Sequence, residues 1–98
     1  MTSTIWKFPL QERDVQRLRM PEGARLLYVD AQDPGGPYPQ LWLTLWAQVD
    51  PSKPTVERLI AIVGTGDPTP DADDPSAIYV GSAICGAFVW HVFDGGES

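Results

Sequence analysis

The 98-residue sequence is poor in the residue types that build disulfides and metal centres. It contains one cysteine, Cys85, and one histidine, His91. A single cysteine excludes an intramolecular disulfide, and two potential ligands are too few for a structural zinc site, which normally takes four. Cys85 lies between Ile84 and Gly86 with no basic neighbour, which indicates a buried, inert thiol. We therefore expect no metal and no cofactor.

Catalytic groupings are also missing from the sequence. No serine, histidine and aspartate can be placed together, and no pair of carboxylates falls on a segment with a regular pattern. We assign no catalytic residue and expect a protein that is not an enzyme.

Basic residues are absent from the last forty positions of the chain. All seven lysines and arginines fall at or before Arg58, where seven acids balance them, and the six acids that follow produce the net charge of −6. An acidic protein repels polyanions at long range, so we expect no binding to duplex nucleic acid or to an acidic membrane surface. A local cluster of arginines still has the charge to hold a small anion.

No apolar run approaches the roughly 20 residues that are needed to cross a bilayer. The opening residues 2–4 lead directly into an alternating segment and do not resemble a signal peptide. With one cysteine and no export signal, we expect a cytoplasmic location and no membrane association.

Turn-forming residues divide the chain into short segments, because it contains ten prolines and nine glycines. Most segments alternate in polarity or are apolar throughout, which is typical of strands. Segment 14–20 has a short helix as its alternative, since Val15 and Leu18 are three residues apart, but Pro21 ends it early. We predict one β-rich domain over residues 1–98, an all-β antiparallel sandwich or partly closed barrel of about six to seven strands with little or no helix. The predicted strands are 4–10, 14–20, 24–30, 40–50, 56–63, 78–84 and 87–93.

The clearest predicted strand, 40–50, has an unusual second face. Its leucines alternate with the other residues and belong in the core. The opposite face carries Trp42 and Trp46 among polar neighbours, with both rings on one side and about 13 Å apart along the strand. This pair suits either a stacked aromatic ligand or a buried contact between subunits, and both alternatives stay open.

The closing run 87–93 is almost wholly apolar and contains Trp90 beside His91. Such a run predicts a central strand that is buried on both faces, and residues 24–30 predict a second interior strand for the same reason. Trp90 and His91 are candidate ligand-binding residues. The alternative is that His91 packs among its neighbours as a structural residue.

Three basic residues near the N-terminus form a candidate anion site. If the first two predicted strands pair as a hairpin, Lys7, Arg17 and Arg19 share one face. Two arginines on one strand face offer forked donors to a carboxylate or phosphate. With Trp42 and Trp46 they predict a site for an anionic aromatic ligand such as a nucleotide. The alternative is a solvated arginine face.

The irregular segments carry weaker patterns. Residues 64–67, Gly-Thr-Gly-Asp, lack the lysine and the helix of a nucleotide loop, so a plain turn is favoured over a phosphate-binding nest. The acids between Asp67 and Asp74 do not follow the spacing of a calcium loop and favour a solvated loop. Residues 32–39 are rich in proline and glycine and predict a hairpin loop.

Several short strings lie in order along the chain: 5–10 (IWKFPL), 20–24 (MPEGA), 49–51 (VDP), 64–68 (GTGDP) and 86–93 (GAFVWHVF). In these strings the sequence resembles a family of small bacteriophage proteins that has no assigned reaction. The resemblance covers almost the whole chain and departs from the family at residues 32–39, which are longer and richer in proline and glycine. It implies a phage genome acting in a host bacterial cytoplasm, and it carries over no site residues.

These observations together predict a small phage accessory protein that acts by binding. Its apolar two-faced strands exceed what a monomer of this size covers, so we expect a homo-oligomer. One hypothesis is that it sequesters a small anionic, nucleotide-like ligand of host defence. The alternative is a protein–protein interaction module that inhibits a host protein, or serves in the virion or its assembly, through Trp42 and Trp46.

Overall fold

The computed structural model shows an all-β domain with seven strands in two antiparallel sheets, which confirms the predicted fold class. The sheets form a small sandwich that does not close into a barrel, and no helix occurs in the part of the chain that the structure describes. The described residues are 2–12, 15–32, 42–69, 77–85 and 87–97. The strands are β1 Thr4–Pro9, β2 Val15–Pro21, β3 Arg25–Gln32, β4 Trp42–Val49, β5 Thr55–Gly64, β6 Ile78–Cys85 and β7 Phe88–Glu97.

The two sheets join strands that are distant in sequence. The strand order is β1-β4-β3 in one sheet and β2-β5-β7-β6 in the other. Because β1 pairs with β4 and β2 pairs with β5, the first two strands do not form the hairpin on which the candidate anion site depended. The chain instead crosses between the sheets, and the buried Gln16 side chain holds the crossing. Its Nε2 donates to the carbonyl of Gln11 at 2.7 Å, and its Oε1 accepts from the Gln11 N–H at 3.0 Å.

The core lies between the sheets and follows the alternation of β4. Leu43, Leu45, Ala47 and Val49 are almost completely buried, which confirms the predicted core face of this strand. Their neighbours across the sandwich come from the four-stranded sheet. These neighbours include Met20, Ile60, Ile62 and Val92.

The turn between β2 and β3 leads the chain from one sheet back to the other. The N–H of Ala24 donates to the carbonyl of Pro21 at 3.2 Å, and Gly23 has φ of +79°. A positive φ at the third residue defines a type II turn, which glycine adopts without steric cost. The sequence pattern Pro-Glu-Gly therefore predicts this turn correctly.

Two predictions are wrong, one about the burial of β7 and one about the position of β3 in its sheet. β7 does lie inside its sheet, between β5 and β6, but Val89 and Phe88 are exposed, so the strand is not buried on both faces. β3 is the end strand of its sheet rather than an interior strand. The loop predicted at 32–39 lies, from residue 33 onward, outside the described residues. So do the acids of segment 70–76.

Each sheet contains a break in register that changes which side chains share a face. In β3 the break falls between Leu26 and Tyr28, so Leu27 is the extra residue and Tyr28 lies opposite Trp46. A second break between Tyr79 and Gly81 bends β6 beside β3. There a Cβ on Gly81 would lie 3.7 Å from the Cβ of Val29, an ordinary contact between the sheets.

Candidate functional site

The outer side of the three-stranded sheet carries most of the aromatic residues that the sequence singled out. Lys7 on β1 and Tyr28 on β3 both lie opposite Trp46 on the central strand β4. Alternation along each strand then places the residues two positions away on the same side. We call this surface the aromatic face, and its residues are Ile5, Lys7, Pro9, Tyr28, Asp30, Gln32, Trp42, Thr44 and Trp46.

A groove with a volume of about 130 Å³ runs across one end of the aromatic face. Its lining brings an ammonium group, an indole ring, an amide and a hydroxyl together. The Thr44 hydroxyl donates to the carbonyl of Trp42 at 3.0 Å, which fixes its orientation within the groove. The lining residues are Lys7, Pro9, Gln32, Trp42 and Thr44.

Two aromatic side chains of this face, Tyr28 and Trp46, contact each other outside the lining of the groove. The rings of Tyr28 and Trp46 are tilted against each other with centroids 5.8 Å apart. Tyr28 is 57% exposed, and Trp42 in the groove is 43% exposed. The aromatic face therefore presents flat apolar surface to solvent at both residues. Aromatic surface of this kind stacks favourably with other flat rings.

The two charged residues of the aromatic face, Asp30 and Lys7, differ in whether they have partners. Asp30 accepts hydrogen bonds from the Ala31 N–H at 2.8 Å and from the Tyr28 hydroxyl at 3.3 Å. Lys7 has no ion-pair partner among the described residues. The Lys7 ammonium is therefore the charged group in the groove that remains available to an anion.

The two arginines of the predicted anion site lie elsewhere. Arg17 and Arg19 are exposed on β2, opposite Leu59 and Glu57 of the four-stranded sheet. Lys7 belongs to the three-stranded sheet, so the three basic residues do not share a face. The expectation that they do so depended on a hairpin of β1 and β2, which does not form.

Trp90 and His91 are also separated from the aromatic face. Trp90 packs at the edge of the core, with its ring 5.6 Å from that of Phe88. His91 points to the outer side of the four-stranded sheet and is held by two hydroxyl groups. Its Nδ1 is 2.6 Å from the Ser82 Oγ, and its Nε2 is 2.8 Å from the Thr65 Oγ1.

The hydroxyl groups around His91 extend into a chain of four side chains. The Tyr79 hydroxyl lies 2.6 Å from the Ser82 Oγ, which in turn contacts the ring of His91. The set of groups that activates a serine nucleophile is incomplete here, because no carboxylate orients the imidazole among the described residues. The sequence analysis did not identify this hydrogen-bonded network, since its members come from β6, β7 and the turn after β5.

A partly buried ion pair within the four-stranded sheet also reaches the turn before β3, away from the aromatic face. The Arg58 guanidinium donates two hydrogen bonds to the carboxylate of Asp94, at 2.9 and 2.6 Å, and one to the carbonyl of Ala24 at 2.9 Å. The Glu97 carboxylate accepts from the Gly23 N–H at 2.7 Å. These bonds connect β5 and β7 to the turn before β3, so this cluster is structural.

The described part of the chain contains neither a reactive cysteine nor a group of side chains that could hold a metal. Burial raises the pKa of the Cys85 thiol to about 11, and a hydrogen bond with Glu12 adds to the shift. The thiol is therefore protonated near neutral pH and a poor nucleophile. No group of three or more histidine, cysteine, aspartate or glutamate side chains is arranged to hold a metal within the described ranges.

A larger cleft, of about 300 Å³, lies beside the turn that follows β4. It is lined by two bases, Arg25 and Lys53, and by two acids, Glu22 and Asp50. The opposite charges offset each other. The groove at Lys7 is therefore the better site for an anion.

Sequence reasoning found Lys7, Trp42 and Trp46 but missed Gln32 and Tyr28. Both missed residues lie on β3, whose partner strand and register determine what they face. Their polarity gave no signal, because the break in register at Leu27 reverses the alternation that a uniform strand would show.

The family model described as a domain of unknown function, DUF7352, matches residues 1–98. The chain belongs to the DUF7352 family. No curated protein and no solved structure matches it. Both sheets and the groove of this DUF7352 chain lie within the matched residues. The match carries no activity, and a phage origin stays a prediction.

No helix in the described residues is both long and apolar enough to cross a membrane.

Proposed function

We propose that this protein is a non-enzymatic binding protein that sequesters a small anionic ligand with a flat ring, such as a nucleotide, on its aromatic face. The observation that carries the proposal is the groove whose lining includes both the Lys7 ammonium and the Trp42 ring. An anionic group pairs with the first and a heterocycle stacks on the second.

Polar groups in the groove support a heterocyclic ligand. The Gln32 amide offers both donors and an acceptor, and the Thr44 hydroxyl lies within the same lining. Such groups read the edge of a base while the indole covers its face. The composition of the groove therefore fits a nucleobase better than a purely apolar molecule.

The volume of the groove limits how much of the ligand it holds. A pocket that encloses a drug-sized molecule has about 300–1,000 Å³, whereas this groove has about 130 Å³. One ring fits inside, and the rest of a nucleotide extends over the sheet toward Trp46 and Tyr28. A homo-oligomer in which a second copy covers this exposed part is consistent with that size.

The biological setting of the proposal follows from the sequence strings described above. We place the protein in a phage genome and its action in the host bacterial cytoplasm, where it removes a nucleotide-like signal of host defence. The single cysteine, which can form no intramolecular disulfide, is compatible with a reducing compartment.

Ligand-induced thermal stabilisation tests the site. We expect a panel of nucleoside monophosphates and cyclic dinucleotides to contain a ligand that raises the melting temperature. Lys7→Met and Trp42→Ala should each reduce the affinity for that ligand by about tenfold or more, because each removes a charge-assisted bond or a stacking surface. Titration calorimetry measures the change.

Arg17→Met is the matched control, because Arg17 is an equally exposed strand cation on the other sheet. It should leave ligand affinity unchanged. If no member of the panel stabilises the protein, or if Arg17→Met weakens binding as much as Lys7→Met does, the aromatic face is not the ligand site.

A second candidate function is a protein–protein contact through the same face. The exposure of Tyr28 and Trp42 favours it, since large aromatic residues are enriched at the centres of protein interfaces. It predicts a host or phage protein that co-purifies with the native chain and is lost in Trp42→Ala, with no thermal shift from any nucleotide.

A further inference from the structure

Strand β1 presents an edge with large apolar side chains that no other described strand covers. It is an end strand of its sheet, and of the described strands only β4 pairs with it. Ile5 is 59% exposed on the aromatic face, and Trp6 is 41% exposed on the opposite side. An edge that is apolar on both sides is a template for pairing with another strand.

The register of β1 shows which backbone groups are free for such pairing. The Leu10 N–H donates to the carbonyl of Leu43 at 2.8 Å, in line with the β1–β4 register. In an antiparallel ladder every second residue bonds to the partner, so Phe8 and Trp6 also face β4. The N–H and C=O groups of Ile5 and Lys7 therefore point outward.

The other sheet edges are less suited to pairing. The outer edge of β2 carries Arg17 and Arg19, two like charges that oppose strand addition. The end strands β3 and β6 lie beside each other at the opposite side of the sandwich. β1 has one charge, Lys7, and ends at Pro9, but its residues Ile5 and Trp6 are apolar and exposed, so it is the least protected of these edges.

We propose that β1 pairs antiparallel with β1 of a second copy about a twofold axis at Trp6, forming a six-stranded sheet. Ile5 then lies opposite the second copy's Lys7, and these residues exchange their outward backbone hydrogen bonds. Trp6 lies opposite the second copy's Trp6 in a non-hydrogen-bonded pair, where Cα atoms approach to about 4.5 Å. The two indoles cover each other, as cross-strand aromatic pairs do.

The outward groups select this register over its neighbours. A shift of two residues in one direction places Lys7 opposite the second copy's Lys7, which is unfavourable for like charges. The same shift also faces Ile5 with Pro9, which has no N–H to donate. The opposite shift leaves Trp6 facing Thr4, so the exposed indoles stay uncovered.

The pairing also changes the aromatic face, and this consequence rests on the proposed function. The second copy's Lys7 becomes a diagonal neighbour of Lys7, about 7–8 Å away on the same side of the sheet. Two ammonium groups then flank the twofold axis between the two grooves. They supply the second cation that a nucleotide phosphate needs and that Arg17 and Arg19 cannot provide from the other sheet.

Charge substitutions at Ile5 test the register in the ligand-free protein. Ile5→Lys places a lysine opposite Lys7 twice per dimer, whereas Ile5→Glu places an acid there. We expect sedimentation equilibrium to give a dimer for the native protein. Ile5→Lys should raise the dissociation constant by about tenfold or more, and Ile5→Glu should keep or lower it.

Proline substitutions test the backbone bonds independently of charge. Ile5→Pro removes an outward N–H without breaking the β1–β4 ladder, so it should yield a folded monomer. Arg17→Pro removes the corresponding outward N–H on the edge of β2 and should leave the dimer intact. Thermal unfolding of both variants verifies that they fold.

The outcomes separate this interface from the ligand proposal. A native monomer, an assembly with an odd number of copies, or equal weakening by Ile5→Lys and Ile5→Glu overturns the pairing. A dimer with the expected pattern that binds no nucleotide supports the interface and contradicts the proposed ligand. A monomer that binds a nucleotide contradicts the interface and supports the proposed ligand.

Discussion

Arg58 is the last basic residue of the chain and the one whose charge is most fully used inside the fold. Hydrogen bonds to Asp94, partly opposed by burial, raise the pKa of its guanidinium above the ordinary value. Its three hydrogen bonds satisfy one carboxylate on β7 and one carbonyl in the turn before β3. Removing Asp94 would leave the partly buried Arg58 with only the more distant Glu97 carboxylate, 3.8 Å away.

Asp94→Asn should lower the free energy of unfolding at pH 7 by about 1.5–3 kcal/mol, because it removes the carboxylate that accepts two hydrogen bonds from Arg58 and leaves only Glu97, 3.8 Å away, as a counterion. Urea unfolding measures the change. Glu22→Gln is the control, since Glu22 is an exposed acid outside this cluster. Equal stability of the two variants would contradict a structural role for the ion pair.

The same variant should also change the acid stability of the protein. Burial alone raises the pKa of Asp94, but hydrogen bonds from Arg58 and the Gly96 N–H, with the Arg58 charge, hold its pKa below the ordinary value. A carboxyl with a lowered pKa stabilises the fold above its unfolded pKa, and this stabilisation is lost as the pH falls below about 5. Asp94→Asn should flatten that decline.

At the scale of the element, breaks in register determine how the strands pack. The break between Leu59 and Ile60 makes Gly95 the extra residue of β7. A Cβ on Gly95 would lie 3.0 Å from the Leu59 Cδ2 and 3.1 Å from its Cβ, which is closer than side chains normally approach. The position therefore needs glycine because of close packing, and its φ is not the reason.

Gly95→Ala should destabilise the protein by about 1–2 kcal/mol through overpacking against Leu59. Gly81→Ala is the matched control and should be nearly neutral, because its Cβ meets Val29 at an ordinary distance of 3.7 Å. In a Leu59→Ala background, Gly95→Ala should cost less, because that change removes the Leu59 Cγ and Cδ2 and leaves only the Cβ contact at 3.1 Å. Chemical denaturation of the four variants measures the coupling, and simple additivity would refute the steric explanation.

The strands themselves were predictable, but their partners were not. Alternation along β4 identified Leu43 and Leu45 as core and Trp42 as outward, because polarity repeats with the pleat of each strand. Nothing local in residues 4–20 shows that β1 pairs with β4 and β2 with β5. Strand pairing depends on contacts that are distant in sequence, so the condition that the first two strands form a hairpin was not met.

At the scale of the whole molecule, two sheets share one core and leave two outer surfaces of different character. The outer side of the three-stranded sheet holds the groove and the exposed rings of Trp42 and Tyr28. The outer side of the four-stranded sheet holds the hydroxyl chain around His91 and the arginines of β2. The basic residues of the candidate anion site are therefore divided between opposite surfaces, Lys7 on one and Arg17 and Arg19 on the other.

Adjacent residues of β4 should respond to truncation in opposite ways if this division is right. Leu43→Ala should cost about 3 kcal/mol in the free energy of unfolding, because Leu43 is fully buried between the sheets. Trp42→Ala should cost less than about 1 kcal/mol, although it removes more atoms. Urea unfolding compares the two, and a larger loss for Trp42→Ala would contradict the sandwich.

Local sequence patterns were enough to assign the all-β class, the approximate position of each strand and the core face of β4. These features depend on local periodicity and on turn residues such as Gly23. The tertiary structure alone decided that Lys7 joins Trp42 in a groove while Arg17, Arg19 and His91 lie on the other sheet. The reason is that strand partners, breaks in register and the crossing between sheets arise from long-range packing, which no local pattern encodes.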